Sequence, residues 1–278
     1  MYTITKAFVL CIIVAISYVA TIHVGVPEHI KGIERNNPDV IHHRIVRITT
    51  LCSILILVLP MMLTYMGGYP SYISVIWSFG LVPGMTLSGH LATDIVNIFR
   101  SIKLISILYM GPILDYPWEI QFDASIAQQD FYDCFYSIWG VRDHIFAPIT
   151  EELIYRSVLL TLLQPFESIS DLQKILLTPL FFGVAHVHHG YDLYKNRNVD
   201  FSTAALTVVV QVMYTTVFGV LSNYLFLETG NNLWCPIVVH CICNLMGFPN
   251  LSVDRPLFWT ITYYLLLIVG ICGFIKLL

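Results

Sequence analysis

AFVLCIIVAISYVATIHVGV, at residues 7–26, contains no Asp, Glu, Lys or Arg. An α-helix needs about 20 mostly apolar residues to cross the hydrocarbon core of a bilayer. The stretch is longer than the apolar segment of a secretory signal peptide, which has about 7–15 residues, and no small-x-small cleavage site follows it. We therefore predict a retained membrane-spanning helix.

The composition of the whole chain indicates the same class. Of its 278 residues, 56% are hydrophobic and 12% are charged, whereas a soluble domain carries about 25% charged residues. So few polar residues cannot cover the exterior of a soluble fold of this size. The net charge of -4 also offers no basic surface for nucleic acid. We predict an integral membrane protein with no nucleic-acid partner.

Further apolar segments predict seven to nine helices in an all-α, polytopic transmembrane bundle. They lie at residues 48–66, 71–90, 104–114, 146–165, 172–189, 203–227, 233–247 and 256–278. Ser170 and Gln173 have the spacing of a helix capping box. Four Lys and Arg residues in the polar stretch 27–47 place it in the cytoplasm by the positive-inside rule. No internal repeat divides the chain, so residues 1–278 are treated as one domain.

Three neighbouring apolar helices carry polar side chains that are costly in a membrane. They read PITEELIYR at 148–156, FFGVAHVHH at 181–189 and PIVVHCICN at 236–244. Ionisable residues inside apolar helices mark functional sites by default. Glu152 and Arg156 lie four residues apart on one helix face and can pair. Glu151 lies about 100° around the helix from Glu152 and is less well placed to pair with Arg156. Its carboxylate can therefore serve as a general base for water.

The other two motifs supply histidines and hydrogen-bond donors. Phe182 and His186 share a helix face, so the phenyl ring can support the imidazole, whereas His188 faces another side. His240 and Asn244 share a face of their own helix and can both donate to a developing oxyanion. Together the three motifs fit peptide hydrolysis by an activated water.

Other uses of these residues stay open. A transporter or an assembly factor could use Glu151, Arg156 and the histidines as a proton relay or a structural lock. A zinc protease could use His186, His189, His240 and a glutamate, although the chain has no HExxH motif. The seven cysteines lie mostly in apolar runs and are interpreted as small buried hydrophobes, so a thiol nucleophile is disfavoured.

In their order along the chain, the three motifs resemble those of the type II CAAX prenyl endopeptidases, within the Abi membrane-protease superfamily. The sequence FGVAHVHH at residues 182–189 is particularly similar to the eukaryotic CAAX prenyl protease 2 sequences. The matching segment covers about residues 147–248. The residues that carry the resemblance are Glu151, Glu152 and Arg156, then Phe182 and His186, then His240 and Asn244.

The resemblance implies an endoplasmic-reticulum membrane protease of about eight helices, with four core helices around an intramembrane cavity that faces the cytoplasm. It would remove the last three residues of farnesylated or geranylgeranylated CaaX proteins, such as small GTPases, in contact with membrane lipid. Glu151 and His186 would activate the water, and His240 and Asn244 would form the oxyanion hole. Known members are described as glutamate-dependent, so no metal or other cofactor is assigned. The supporting residues would be Glu152, Arg156 and Phe182.

Overall fold

The computed structural model describes residues 1–196 and 199–278, and each regular element in this part of the chain is a helix. The helices are α1 Ile4–His23, α2 Pro38–Tyr65, α3 Tyr72–Phe79, α4 Leu91–Leu108, α5 Met110–Glu119, α6 Ala124–Phe135, α7 over residues 138–163, α8 Asp171–Leu177, α9 Pro179–Ala185, α10 Val187–Asn196, α11 Phe201–Glu228, α12 Trp234–Met246 and α13 Leu257–Leu277, with a 3-10 turn at Glu28–Ile30. Within these ranges, α1, α2, α11 and α13 are long and apolar enough to span a membrane. The predicted helical membrane bundle is confirmed.

The long helices present large apolar side chains on the outside of the molecule. Examples are Ile16 on α1, Leu57 on α2, Val217 on α11 and Leu265 on α13, each more than half exposed. A soluble monomer rarely exposes apolar surface of this extent. A bilayer solvates it at no cost, which is why this chain places apolar residues both inside and outside the bundle.

Helix α7 forms the centre of the bundle. Each residue from 152 to 163 is buried, including the charged Glu152 and Arg156, because other helices surround this part of α7. It contacts α1, α2, α3, α11 and α12. Its course includes two π-helical turns, Arg142–Phe146 and Leu153–Val158, on either side of Ala147–Glu152. Such turns inside α-helices occur frequently at functional sites.

The prediction of one helix over residues 71–90 is wrong. Helix α3 ends at Phe79 because Gly80 adopts the left-handed conformation, with φ of 64°. A Cβ at Gly80 would overlap the carbonyl group of Asn231, so the chain has to turn here. The Asn231 amide also donates to the Ser78 carbonyl at 2.9 Å, which fixes the end of α3 against the start of α12.

Other helix boundaries differ from the predictions for local reasons. Helix α2 begins at Pro38 rather than residue 48, because Asn37 caps it and the polar residues that follow continue the helix. The predicted segment 104–114 is divided between α4 and α5. The polar stretch 115–143 is largely helical, since it contains the end of α5, all of α6 and the start of α7.

The predicted helix 172–189 is divided into α8, α9 and α10. The capping box of Ser170 and Gln173 is confirmed at the start of α8. Pro179 begins α9, and His186 lies between α9 and α10 instead of inside one continuous helix. Gly183 lets α9 approach α11, because a Cβ there would collide with Thr216. The break and this close approach together position His186.

Candidate active site

Glu152 lies at the centre of a buried polar cluster. Its Oε2 atom is 3.0 Å from Nε of Arg156, and the two side chains are 0% and 1% exposed. This confirms the ion pair predicted from their spacing. The other carboxylate oxygen, Oε1, is 2.7 Å from Nδ1 of His240 on α12. Because an ionised carboxylate only accepts hydrogen bonds, Nδ1 of His240 carries a hydrogen.

Glu151 occupies a different environment from its neighbour. Its side chain is 19% exposed, and its Oε2 atom is 3.8 Å from Nε2 of His240. The Tyr18 hydroxyl donates to its other oxygen at 3.4 Å. The two glutamates therefore face opposite nitrogens of one imidazole, Glu152 inside the protein and Glu151 at a cavity. Nothing in the sequence of α1 distinguished Tyr18 as a partner of this site.

Aromatic rings enclose the charged cluster. The guanidinium carbon of Arg156 lies 4.4 Å from the ring centroid of Phe182 and 5.6 Å from that of Phe218. A cation over the face of an aromatic ring is attracted by the ring quadrupole. Within the described residues, Nη1 and Nη2 of Arg156 make no hydrogen bond, so these rings and Glu152 are what compensate the burial of the charge.

Phe218 also contacts His240, with ring centroids 4.7 Å apart and an interplanar angle of 57°. Sequence reasoning missed this residue, because it is one of many large apolar side chains on α11 and carries no polar signal. Its position under both Arg156 and His240 depends on how α11 packs against α7 and α12.

His186 is held by the last turn of α9, which it follows directly. Its Nδ1 atom lies 2.8 Å from the Phe182 carbonyl oxygen, and the two rings meet edge to face at 4.8 Å and 88°. A carbonyl oxygen only accepts, so Nδ1 carries the hydrogen and Nε2 of the neutral ring carries the lone pair. The shared face predicted for Phe182 and His186 is confirmed. His188, expected on another side, also lines the cavity.

Asn244 lies at the end of α12, one turn beyond His240. Its side chain is exposed, and its amide donates to the backbone carbonyl of Asp143 on α7 at 2.9 Å. His240 and Asn244 thus both face α7, although they contact parts of it that are nine residues apart. The amide nitrogen of Asn244 carries a second hydrogen, which it can donate in a hydrogen bond to an incoming carbonyl group.

A cavity of about 190 Å³ lies between α1, α2, α7 and the end of α9, and its lining includes neither His240 nor Asn244. Glu151, Tyr155 and His186 line this cavity, and so do three arginines, namely Arg35, Arg44 and Arg142. Arg35 is exposed, whereas Arg44 and Arg142 are partly buried. The site is therefore accessible from the side of the molecule that carries the basic segment 27–47.

An apolar groove of about 760 Å³ adjoins this cavity between α1 and the α8–α9 segment. The two spaces share Val19, Ala185 and His188 in their linings. Ile16 and Val184 line the groove and are 61% and 62% exposed, so the groove opens on the surface that faces lipid. We call it the α1–α9 groove.

Within the described residues, no three His, Cys, Asp or Glu side chains are grouped as a metal site. The side chain of His189, a ligand in the zinc alternative, lies outside the described part of the structure. All seven cysteines are free thiols, and Cys11, Cys52 and Cys235 are buried as predicted. Cys134, Cys241 and Cys243 are only partly buried, and the prediction is wrong for Cys272, which is exposed on the apolar helix α13.

Comparison with known proteins confirms the resemblance seen in the motifs. The family model described as "Type II CAAX prenyl endopeptidase Rce1-like" matches residues 134–246. The chain is 32% identical to CAAX prenyl protease 2 of Saccharomyces cerevisiae, over 96% of this chain and 92% of that protein. It is 29% identical to CAAX prenyl protease 2 of Homo sapiens, over 86% and 70%. No solved structure matches the chain significantly.

Proposed function

The chain belongs to the type II CAAX prenyl endopeptidase family, and we propose that it cuts prenylated CaaX proteins after the modified cysteine and releases the last three residues. It is a multi-pass membrane hydrolase. The observation that carries the proposed mechanism is the pair of contacts at His240, with Glu152 at 2.7 Å from one nitrogen and Glu151 at 3.8 Å from the other.

In the proposed reaction, Glu151 and His186 activate a water molecule. The Glu151 carboxylate accepts a proton from the water, while Nε2 of His186 accepts a hydrogen bond that orients it. The resulting hydroxide attacks the scissile carbonyl carbon. When the tetrahedral intermediate collapses, the C–N bond breaks and Glu151 returns the proton to the leaving amine. The products are a prenylcysteine carboxylate and a free tripeptide.

His240 and Asn244 are proposed to stabilise the oxyanion. Nδ1 of His240 already donates to Glu152, so Nε2 can donate to an oxyanion only when the ring is an imidazolium. The cluster contains two glutamates and one arginine, and a positive His240 balances these charges. Balance matters because an uncompensated buried charge is strongly destabilising. Asn244 supplies the second donor.

The lipid part of the substrate is proposed to occupy the α1–α9 groove. A prenyl chain needs an apolar surface that can be reached from the bilayer and that ends near the scissile bond. The groove opens towards lipid and shares lining residues with the catalytic cavity. Each buried CH2 group is worth about 0.8 kcal/mol, so a farnesyl or geranylgeranyl chain can dominate binding.

The cavity is proposed to face the cytoplasm of the endoplasmic-reticulum membrane, with small GTPases among the substrates. The positive-inside rule supports the orientation, because basic residues of the segment 27–47 line the cavity. The compartment and the GTPase substrates follow from the family resemblance.

A structural lock is the competing use of the polar cluster. Glu152, Arg156 and His240 have the burial and the contacts that a lock between α7 and α12 needs. Glu151 does not fit this role, because it is partly exposed at a cavity. A site for chemistry accounts for both glutamates, whereas a lock accounts for one.

Release of the terminal tripeptide from a prenylated CaaX peptide by the purified protein in detergent tests the proposal. Glu167, on an exposed turn after α7, provides a matched control. We expect cleavage by the wild-type protein and by Glu167→Gln, and none by Glu151→Gln. Lack of cleavage by a folded wild-type protein would reject the proposed function.

A further inference from the structure

Tyr18 brings a hydroxyl group from α1 to the candidate active site. Its side chain lines the same cavity as Glu151, and the residue is 7% exposed. The hydroxyl oxygen is 3.4 Å from Oε1 of Glu151. Helix α1 lies outside residues 134–246, which the family model matches. This contact therefore adds a side chain from outside the matched segment to the surroundings of the proposed general base.

The Tyr18 hydroxyl has a second possible acceptor, the hydroxyl of Thr150, which is also 3.4 Å away. Thr150 donates its own hydrogen to the Phe146 carbonyl at 2.9 Å, so it can only accept from Tyr18. The single phenolic hydrogen thus has a neutral hydroxyl and a carboxylate within reach. Because an ionised carboxylate is the stronger acceptor, the hydrogen is donated to Glu151 when that residue is ionised.

The ring of Tyr18 is held by its packing against α7. It meets the ring of Tyr155 edge to face, with centroids 5.7 Å apart and an interplanar angle of 76°. Tyr155 is 1% exposed, and its hydroxyl donates back to the Ala15 carbonyl on α1 at 3.5 Å. A tyrosine side chain has only two rotatable torsions before its hydroxyl. A packed ring therefore gives Tyr18 a donor of fixed position.

The carboxylate of Glu151 is approached at both oxygens. Oε2 is 3.8 Å from Nε2 of His240, and Tyr18 reaches Oε1. The last torsion of a glutamate side chain is broad and easily turned, so contacts at both oxygens restrict it. A general base works only when its lone pair is within reach of the proton that it accepts. The orientation of this carboxylate therefore bears directly on the rate.

We propose that Tyr18 is a positioning residue for the general base, in which its hydroxyl donates to Oε1 of Glu151 and fixes the plane of the carboxylate towards the attacking water. This inference rests on the proposed function. Tyr18 keeps its proton throughout the reaction and does not touch the reacting atoms. Its effect is on the chemical step and not on binding of the substrate.

Tyr18→Phe tests the proposal, because it keeps the ring and removes the hydroxyl. We expect kcat for a prenylated CaaX peptide to fall by about 10-fold, since a hydrogen bond to a charged group has about that worth. KM and the melting temperature should stay near the wild-type values. A merely structural role would lower the melting temperature and leave kcat unchanged. Tyr18→Leu also removes the ring packing, so it should lower both kcat and the melting temperature.

Tyr2→Phe is the matched control. Tyr2 is 7% exposed, and its hydroxyl donates to the Leu162 carbonyl on α7 at 2.7 Å. It is thus another buried hydroxyl that joins the N-terminal part of the chain to α7. Leu162 lies 11 residues beyond Glu151, or about 16 Å along the helix, so Tyr2→Phe should lower the melting temperature and keep kcat.

Wild-type kcat in a folded Tyr18→Phe protein would overturn the inference and leave the proposed function standing. Equal losses of kcat in Tyr18→Phe and Tyr2→Phe would also overturn it, because they would indicate a general effect of loosening the contact with α7. Lack of cleavage by the folded wild-type protein would reject the proposed function and this inference with it.

Discussion

Nδ1 of His240 and Oε1 of Glu152 are 2.7 Å apart, although 88 residues separate them along the chain. This hydrogen bond fixes the orientation of the imidazole, because its donor and acceptor lie on two packed helices, α12 and α7. Glu152 also holds Arg156. It therefore does more than neutralise a cation. It presents Nε2 of His240 towards Glu151.

Glu151→Gln should abolish turnover and leave the fold intact. The amide cannot accept a proton from water, and loss of a general base costs about 10²-fold to 10⁴-fold in rate. The side chain is partly exposed and is outside the Glu152–Arg156 pair, so the melting temperature should change little. Measurements of kcat and melting temperature on purified protein check both points. Retention of at least half the wild-type kcat would contradict the assignment.

Glu152→Gln should lower the melting temperature and reduce kcat without abolishing it. Breaking a buried ion pair by altering one partner costs about 3–5 kcal/mol, and Arg156 would lose its carboxylate. The amide oxygen can still accept from His240, which preserves part of the imidazole orientation. If this variant were inactive with an unchanged melting temperature while Glu151→Gln was merely unstable, the roles of the two glutamates would be reversed.

Asn244→Ala should lower kcat by about 10²-fold to 10³-fold, as loss of one oxyanion donor does in hydrolases. Its side chain is exposed and, among the residues that the structure describes, its amide donates to the Asp143 carbonyl alone, so stability should be nearly unchanged. Asn244→Asp is a useful companion, since it keeps the size but places negative charge where the oxyanion forms. Similar kcat values for both variants and the wild-type protein would remove Asn244 from the mechanism.

Ile16→Trp should impair cleavage of prenylated peptides by raising KM. Ile16 lines the α1–α9 groove, and a larger ring would occupy space proposed for the prenyl chain. Ile13→Trp provides the matched control, because Ile13 is on the same helix, is 55% exposed and is outside the groove lining. The comparison requires KM for farnesyl and geranylgeranyl peptides with each variant. Equal KM values for the two variants would place the lipid elsewhere.

Replacement of all seven cysteines by Ala or Ser should leave kcat largely unchanged. Each is a free thiol, and neither Cys241 nor Cys243 reaches His240 as a conventional thiol–imidazole pair does, because they lie one and three residues along the same helix. Stability should fall, since Cys11, Cys52 and Cys235 are buried and their replacement alters packing. Complete loss of turnover in a folded variant would revive a thiol mechanism.

The sequence by itself determined the class of the protein and much of the local structure. Apolar length and low charge specify membrane helices, because a bilayer requires about 20 apolar residues per crossing. Four-residue spacing specified the Glu152–Arg156 pair and the shared face of Phe182 and His186, since each pair is about one helical turn apart. These features depend on one segment at a time, and a single segment suffices to predict them.

Only the tertiary structure decided which of these segments meet. The His240–Glu152 contact, Tyr18 beside Glu151 and the position of Phe218 arise from the packing of α1, α11 and α12 around α7. Hydrophobic periodicity also did not predict the π-helical turns in α7 or the break at His186. Contacts between residues far apart in sequence depend on shape and close packing across several helices at once, and no local pattern encodes those.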